Sequence, residues 1–325
     1  MKPGITLKRI NELELSEIGL GTWAIGGPWK FGWGKQDSRE SEKTILTALE
    51  QGINWIDTAP AYGLGHAEEL IGEMIRNRLV NPEKTRIATK CGIVWDSSQK
   101  VSFNIHPQSI REECEKSLKR LQIESIDLYQ IHWPDQKTPI RESWAEMIKL
   151  KETGKVKNIG VCNFNLNLLK KCYSMGDLAT LQSCYNMLTP DLEKEIIPWC
   201  QSHGVGILAY SPLQSGLLSG NFSREYLQFL PDDDWRKRNP LFKDPALSRS
   251  LDFIDSIKPL TEKYRVSLAA LAVAWTLTHP AVSCSISGAR HIQQANGITS
   301  GAGWKLSPDD MKEIAAQYKK FFINV

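Results

Sequence analysis

Asn54-Trp55-Ile56-Asp57-Thr58-Ala59-Pro60-Ala61-Tyr62-Gly63 is the stretch on which the reading of this chain turns. Ile53 to Ile56 is a short apolar run and reads as a buried strand. Thr58, Pro60 and Gly63 break it, and a helix is predicted over about 67–78. Asp57 therefore stands at the C-terminal end of a strand and Tyr62 on the loop beyond it. Polar residues at one strand end are ordinary. Two later strands end the same way, in Lys90 and in His132, and that repetition makes the pattern informative.

Outward from this unit the same alternation continues. Ahead of it, Thr6–Arg9 and Leu13–Leu15 read as a hairpin, and Ile18–Leu20 as the first core strand. Ser38 reads as the cap of a helix running to about Glu50. Behind it, strands are predicted at Arg86–Lys90, Ile126–Ile131, Val156–Val161, Leu181–Tyr185, Gly206–Tyr210 and Val282–Ile286. Helices fall between them at about 107–121, with Pro107 in the first turn, and at 140–153, 166–175 and 191–203. The apolar run Leu268–Thr278 adds a helix packed on the wall. Eight βα units in one chain predict an α/β fold, a (β/α)8 TIM barrel forming a single domain over 1–325. The N-terminal hairpin, a long charged connection at 219–249 after the seventh strand, and an extra helix from about Ser307 to Phe322 lie outside the repeat. The charged connection suggests either a lid or a disordered excursion; because it leaves the active-site face of such a barrel, a lid is the better reading.

Composition narrows the function. The apolar fraction of 41% and charged fraction of 24% are those of a globular protein. A net charge of +3 over 325 residues, with no basic run interleaved with aromatics, gives no support to nucleic-acid binding. No signal-like N-terminus and no run of about 18 apolar residues is present, so a cytoplasmic protein without a membrane segment is expected. The seven cysteines form no C-x-x-C pair; Cys91, Cys162 and Cys284 lie in or beside strands and read as buried thiols. The six histidines show no metal-ligand spacing, so no metal is expected. Of eleven tryptophans, Trp23, Trp29, Trp33, Trp95 and Trp133 fall in loops or just past strand ends. Any one could cap the core, but as a group they predict an aromatic substrate cleft. Gly19-Leu20-Gly21-Thr22-Trp23 is no dinucleotide fingerprint, because its third glycine is out of step and no helix opens there.

In a barrel the strand C-termini converge, so Asp57, Tyr62, Lys90 and His132 meet on one face. An ammonium near a phenol favours phenolate, and a carboxylate keeps that ammonium charged and fixed. An imidazole beside them can orient a carbonyl or relay a proton. Together they form a proton donor tuned toward neutral pH. They supply no redox equivalent, so a reduction needs a cofactor to bring the hydride.

Ile56-Asp57-Thr58-Ala59-Pro60-Ala61-Tyr62-Gly63, Ala88-Thr89-Lys90, Ile131-His132-Trp133-Pro134, Gly160-Val161-Cys162-Asn163-Phe164 and Tyr210-Ser211-Pro212-Leu213 resemble, in order and spacing, the aldo-keto reductase superfamily. The nearest branch is the longer bacterial reductases, which also resemble potassium-channel β subunits. The resemblance implies NADPH-dependent reduction of aldehydes or ketones. In it Tyr62 is the proton donor, Lys90 lowers its pKa, Asp57 pairs with Lys90 and His132 orients the carbonyl. It further implies that Asn163 and Gln182 hold the nicotinamide carboxamide, with Cys162 beside them, and that Tyr210 stacks on the ring. Gly21, Thr22 and Trp23 line the nicotinamide end. Ser211, Pro212, Leu213, Gln214, Ser215, Gly216 and Leu217 follow the pyrophosphate. Gly288, Ala289, Arg290 and Gln294 form the adenosine site, with Arg290 on the 2′-phosphate. Arg236 closes over the cofactor or, alternatively, is a solvated charge among Lys237 and Arg238.

The chain departs from that pattern in three places. Cys162 replaces a serine and bonds less well, Asn221 stands where a lysine often meets the pyrophosphate, and Gly297-Ile298 replace a carboxylate and an amide around the adenine. NADP is accordingly expected over NAD on the strength of Arg290. Two other functions fit some of the residues: Schiff-base chemistry at Lys90, and a nucleotide-sensing subunit with little turnover.

Overall fold

The computed structural model describes residues 4–323. Eight parallel strands close into a barrel: β3 (Ile18–Gly21), β4 (Trp55–Asp57), β5 (Arg86–Cys91), β8 (Ile126–Ile131), β9 (Val156–Cys162), β10 (Leu178–Cys184), β11 (Gly206–Tyr210) and β12 (Val282–Gly288), with β12 paired to β3. Ahead of them β1 (Leu7–Ile10) and β2 (Leu13–Ser16) form an antiparallel hairpin. Its Ile10, Leu13 and Leu15 pack with Trp55, Ala88, Leu128, Leu208 and Cys284, stoppering the barrel interior. Trp55 fills that interior because residue 19 is glycine: a Cβ there would stand 2.2 Å from the indole.

The helices that shield the strands are α1 (Ser38–Glu50), α2 (His66–Arg76), α3 (Pro107–Leu121), α4 (Ile140–Glu152), α5 (Leu166–Tyr173), α6 (Ile196–His203), α9 (Leu268–Thr278) and α10 (Ile292–Ile298). Nearly every residue of α9 is buried, as its apolar composition requires. α11 (Pro308–Phe322) is the expected extra helix; it packs on α8 (Ala246–Tyr264) through Phe253, Tyr318 and Phe322. Among the described residues no helix is long and apolar enough to cross a membrane.

Several boundaries differ from the sequence reading. Asp37, not Ser38, caps α1, its carboxylate accepting from the Glu40 N–H at 2.9 Å. The sixth barrel strand begins at Leu178 rather than Leu181, because its pairing with β9 slips between Leu178 and Thr180 and hides the alternation. The helix expected over 191–203 splits into a single turn at Asp191–Glu193 and α6. The loop after β5 contains an unforeseen hairpin, β6 (Ile93–Trp95) with β7 (Val101–Phe103). The 219–249 connection holds α7 (Arg224–Gln228) and two short turns, and its last residues already belong to α8.

Candidate active site

Strand alternation decides which side chains reach the barrel mouth. On β5, Thr89 turns outward and donates to the buried carboxylate of Glu68 on α2 at 2.6 Å, so Lys90 turns inward. Lys90 is fully buried. Its ammonium donates to Asp57 Oδ2 at 2.8 Å, to the Thr58 carbonyl at 2.9 Å and to the Tyr62 hydroxyl at 3.3 Å. All three N–H bonds are thereby used. Burial alone would lower the Lys90 pKa, but the neighbouring Asp57 carboxylate and Tyr62 phenol raise it, so the group stays an ammonium.

Burial pushes Tyr62 up to about 12, outweighing the downward pull of Lys90. The expected donor tuned toward neutral pH is therefore corrected: the phenol is fully protonated at pH 7. The His132 ring lies edge-on to Tyr62, centroids 5.8 Å apart. Burial, and secondarily Lys90, hold its pKa well below the ordinary value, so the imidazole is neutral. Asp57, Tyr62, Lys90 and His132 thus come together as expected.

Above them opens a cavity of about 850 Å³, large among small-molecule sites. Asn163 stands at its edge with φ of +61°. Its amide donates to the His132 carbonyl at 3.1 Å and accepts from the Tyr210 hydroxyl at 2.8 Å. Gln182 donates through Nε2 to Asp57 Oδ1 at 2.7 Å and to Gln130 Oε1 at 3.2 Å, which leaves its own carbonyl oxygen toward the cavity. Cys162 is buried in the wall without lining the cavity, and its thiol is pushed up by burial. Gly21 and Trp23 line the opening, while Thr22 lies behind it, its hydroxyl on the Asp57 carbonyl.

The turn after β11 carries Ser211, Gln214, Ser215 and Gly216 at positive φ, a strained backbone of the kind concentrated at ligand sites. Ser211, Pro212, Leu213, Ser215 and Gly216 line the cavity. Gln214 and Leu217 support the turn from beneath, Gln214 accepting from Asn186 at 2.9 Å. Gly288, Arg290 and Gln294 line the far end; Ala289 is buried behind them, and the Gln294 carbonyl accepts from the Arg290 N–H at 2.8 Å.

Trp23, Trp29, Trp33 and Trp133 line the cavity and Trp95 does not. In the β6–β7 hairpin it is Ile93 and, on the partner strand, Val101 and Phe103 that line the cavity instead. The solvated reading of Arg236 is overturned. Its guanidinium is buried, doubly bonded to Asp234 at 2.7 and 3.0 Å and set over the Trp33 ring at 4.4 Å. The 219–249 segment so forms a roof, joined to the first loop by Trp235 N–H on the Gly32 carbonyl and by a Trp23–Trp33–Trp235 cluster.

Sequence reasoning missed Trp235, the β6–β7 hairpin and two polar atoms of the far wall, Ser287 Oγ and His291 Nδ1, both buried without a hydrogen-bond partner. The aromatic within Asp234-Trp235-Arg236 was the available signal for the first. For the orphaned atoms the one-dimensional pattern offers none.

A sequence profile described as the Aldo/keto reductase family matches residues 17–319. The aldo-keto reductase YhdN of Bacillus subtilis strain 168 is 38% identical over 303 residues, 93% of this chain and 89% of that protein. The NADH-specific methylglyoxal reductase of Escherichia coli K12 is 34% identical, covering 94% of this chain and 96% of its own length. Among solved structures, a glycerol dehydrogenase from Gluconobacter oxydans superposes with a TM-score of 0.88 at 38% identity, covering 98% of this chain and 97% of that one. With its strand-end residues gathered at one barrel mouth, the chain belongs to the aldo/keto reductase family of oxidoreductases.

Proposed function

We propose that the protein reduces aldehydes or ketones to alcohols with a nicotinamide coenzyme, Tyr62 being the general acid. The observation that carries this reading is the Lys90 ammonium, spent on Asp57 and Thr58 and held 3.3 Å from the Tyr62 hydroxyl. A phenol at about 12 keeps its proton at neutral pH until a stronger base forms beside it. A carbonyl reduced to an alkoxide is such a base, and Lys90 then stabilises the phenolate left behind. Neutral His132, with no protein partner on its ring nitrogens among the described residues, orients the carbonyl by donating one hydrogen bond.

The cavity wall fits the coenzyme. Ser287 Oγ and His291 Nδ1 are buried polar atoms without partners, an arrangement that costs about 1–3 kcal/mol each until a polar ligand pairs them. In this reading Asn163 and Gln182 hold the carboxamide, and the Ser211–Gly216 turn, with Arg236, follows the phosphates. Arg290 in the same reading meets the 2′-phosphate, which favours NADPH. When bound, the nicotinamide supplies the hydride to the carbonyl carbon. The aromatic wall suits carbonyl compounds with a flat or apolar body.

Schiff-base chemistry is disfavoured because the Lys90 ammonium has no free N–H and is held charged, whereas a nucleophilic amine must lose its proton. Retention of all four tetrad residues also favours turnover over mere nucleotide sensing. In the Tyr62→Phe variant we expect unchanged NADPH binding by tryptophan fluorescence and a loss of carbonyl reduction of about 100-fold or more. Turnover close to the parent's would remove Tyr62 from the role of acid.

A further inference from the structure

The adenosine end of the cavity is fastened to the first loop through Arg290. Its Nε donates to Gln36 Oε1 at 2.9 Å, Nη1 to the Trp33 carbonyl at 2.9 Å and Nη2 to the Lys35 carbonyl at 2.8 Å. Gln36 closes the clasp by donating through Nε2 to the Arg290 carbonyl at 2.9 Å. Three of the five guanidinium N–H groups are therefore spent, and one remains on each terminal nitrogen.

The charge, by contrast, is unspent. Among the described residues Arg290 has no carboxylate within ion-pair distance, and every acceptor it meets is neutral. Arg236, the guanidinium of the roof, is already neutralised by Asp234. Arg290 is thus attractive to an anion while the sideways fork that grips a phosphate in two places is half closed, since Nε belongs to Gln36.

Resting on the nicotinamide-coenzyme reading above, we propose that Gln36 sets how strongly this protein prefers NADPH over NADH. Held by Gln36, Arg290 meets a 2′-phosphate with the end of its guanidinium only, which caps the gain from that phosphate and leaves NADH a usable coenzyme. The neutral amide is what makes the cap partial. A carboxylate in its place would neutralise Arg290 and repel the phosphate; a methyl group would free Nε and let the guanidinium turn to the ligand.

The two substitutions move the preference in opposite directions, which a general loosening of the loop cannot do. Dissociation constants for NADPH and NADH are measured by quenching of tryptophan fluorescence, without substrate, for the parent, Gln36→Ala, Gln36→Glu and Arg290→Ala. Gln36→Ala is expected to raise the ratio of the NADH Kd to the NADPH Kd at least threefold. Gln36→Glu is expected to lower it at least threefold, with the NADH Kd within about twofold of the parent in both. In the Arg290→Ala background, Gln36→Ala should leave the ratio unchanged.

Saturable quenching by both nucleotides with one ratio across the Gln36 variants overturns the role of Gln36 alone. So does a ratio that shifts the same way in both. Absence of saturable quenching by either nucleotide in the parent overturns the coenzyme reading, and this inference with it.

Discussion

Lys90 shows how one buried residue can organise a site. A lysine with no exposed surface survives in a barrel core only because Asp57 stands 2.8 Å away and the Thr58 carbonyl and Tyr62 hydroxyl take its other N–H bonds. Asp57 in turn is held by Gln182 at 2.7 Å, so its geometry leaves little freedom. Replacing Asp57 by Asn strands the ammonium without a counter-charge. Breaking a buried pair in this way costs about 3–5 kcal/mol. We expect Asp57→Asn to lower the urea midpoint accordingly, while carbonyl reduction falls about 100-fold as Lys90 loses its fixed position. A midpoint equal to the parent's would show that the pair is not what keeps Lys90 charged.

At the scale of elements, what the sequence disclosed follows from periodicity. The strand ends at Asp57, Lys90 and His132 were legible because short apolar runs terminate there in polar residues. The tetrad could be assembled once a barrel was inferred. Burial could not be read the same way: the Tyr62 proton is held by desolvation, which depends on the walls of the cavity that the phenol faces. The slipped start of β10 and the β6–β7 hairpin escaped for the same kind of reason, since pairing partners rather than composition define them.

Beside that hairpin stands a residue with no signature in the sequence. Glu113 of α3 is buried, accepting from the Gly92 N–H at 3.0 Å and from the Ser109 hydroxyl at 3.1 Å, at the point where β5 hands over to β6. Burial pushes its pKa up to about 8, against the pull of those hydrogen bonds and of Lys116 and Arg120. A folded pKa above the unfolded value means the native state holds an extra proton between about 4.5 and 8. Its contribution is therefore complete below pH 4.5 and lost as pH rises through 8. Glu113→Gln keeps the acceptor and removes the titration. The melting temperature of Glu113→Gln minus that of the parent should rise between pH 5 and pH 8.5, reflecting on the order of a few kcal/mol. A difference independent of pH would mean that Glu113 is ionised in the fold.

For the molecule as a whole, the cavity is where distant parts of the chain are tied together. Gln36 and Arg290 are 254 residues apart in sequence, and the roof at Trp235 rests on Gly32. The tetrad comes from strands β4 and β5, the loop after β4 and the residue that follows β8, while the far wall comes from β12, α10 and the turn between them. A ligand spanning this space touches both ends of the barrel sequence, so it can bind only the closed, native arrangement. Mass action then converts affinity into stability: at one hundred times Kd a ligand adds about 2.7 kcal/mol. For a chain of this size that corresponds to roughly 4 °C in Tm. Differential scanning fluorimetry with NADPH should show such a rise, with a similar but smaller rise for NADH at equal concentration. A Tm indifferent to both nucleotides at millimolar concentration would mean that the 850 Å³ cavity is not a nicotinamide coenzyme site.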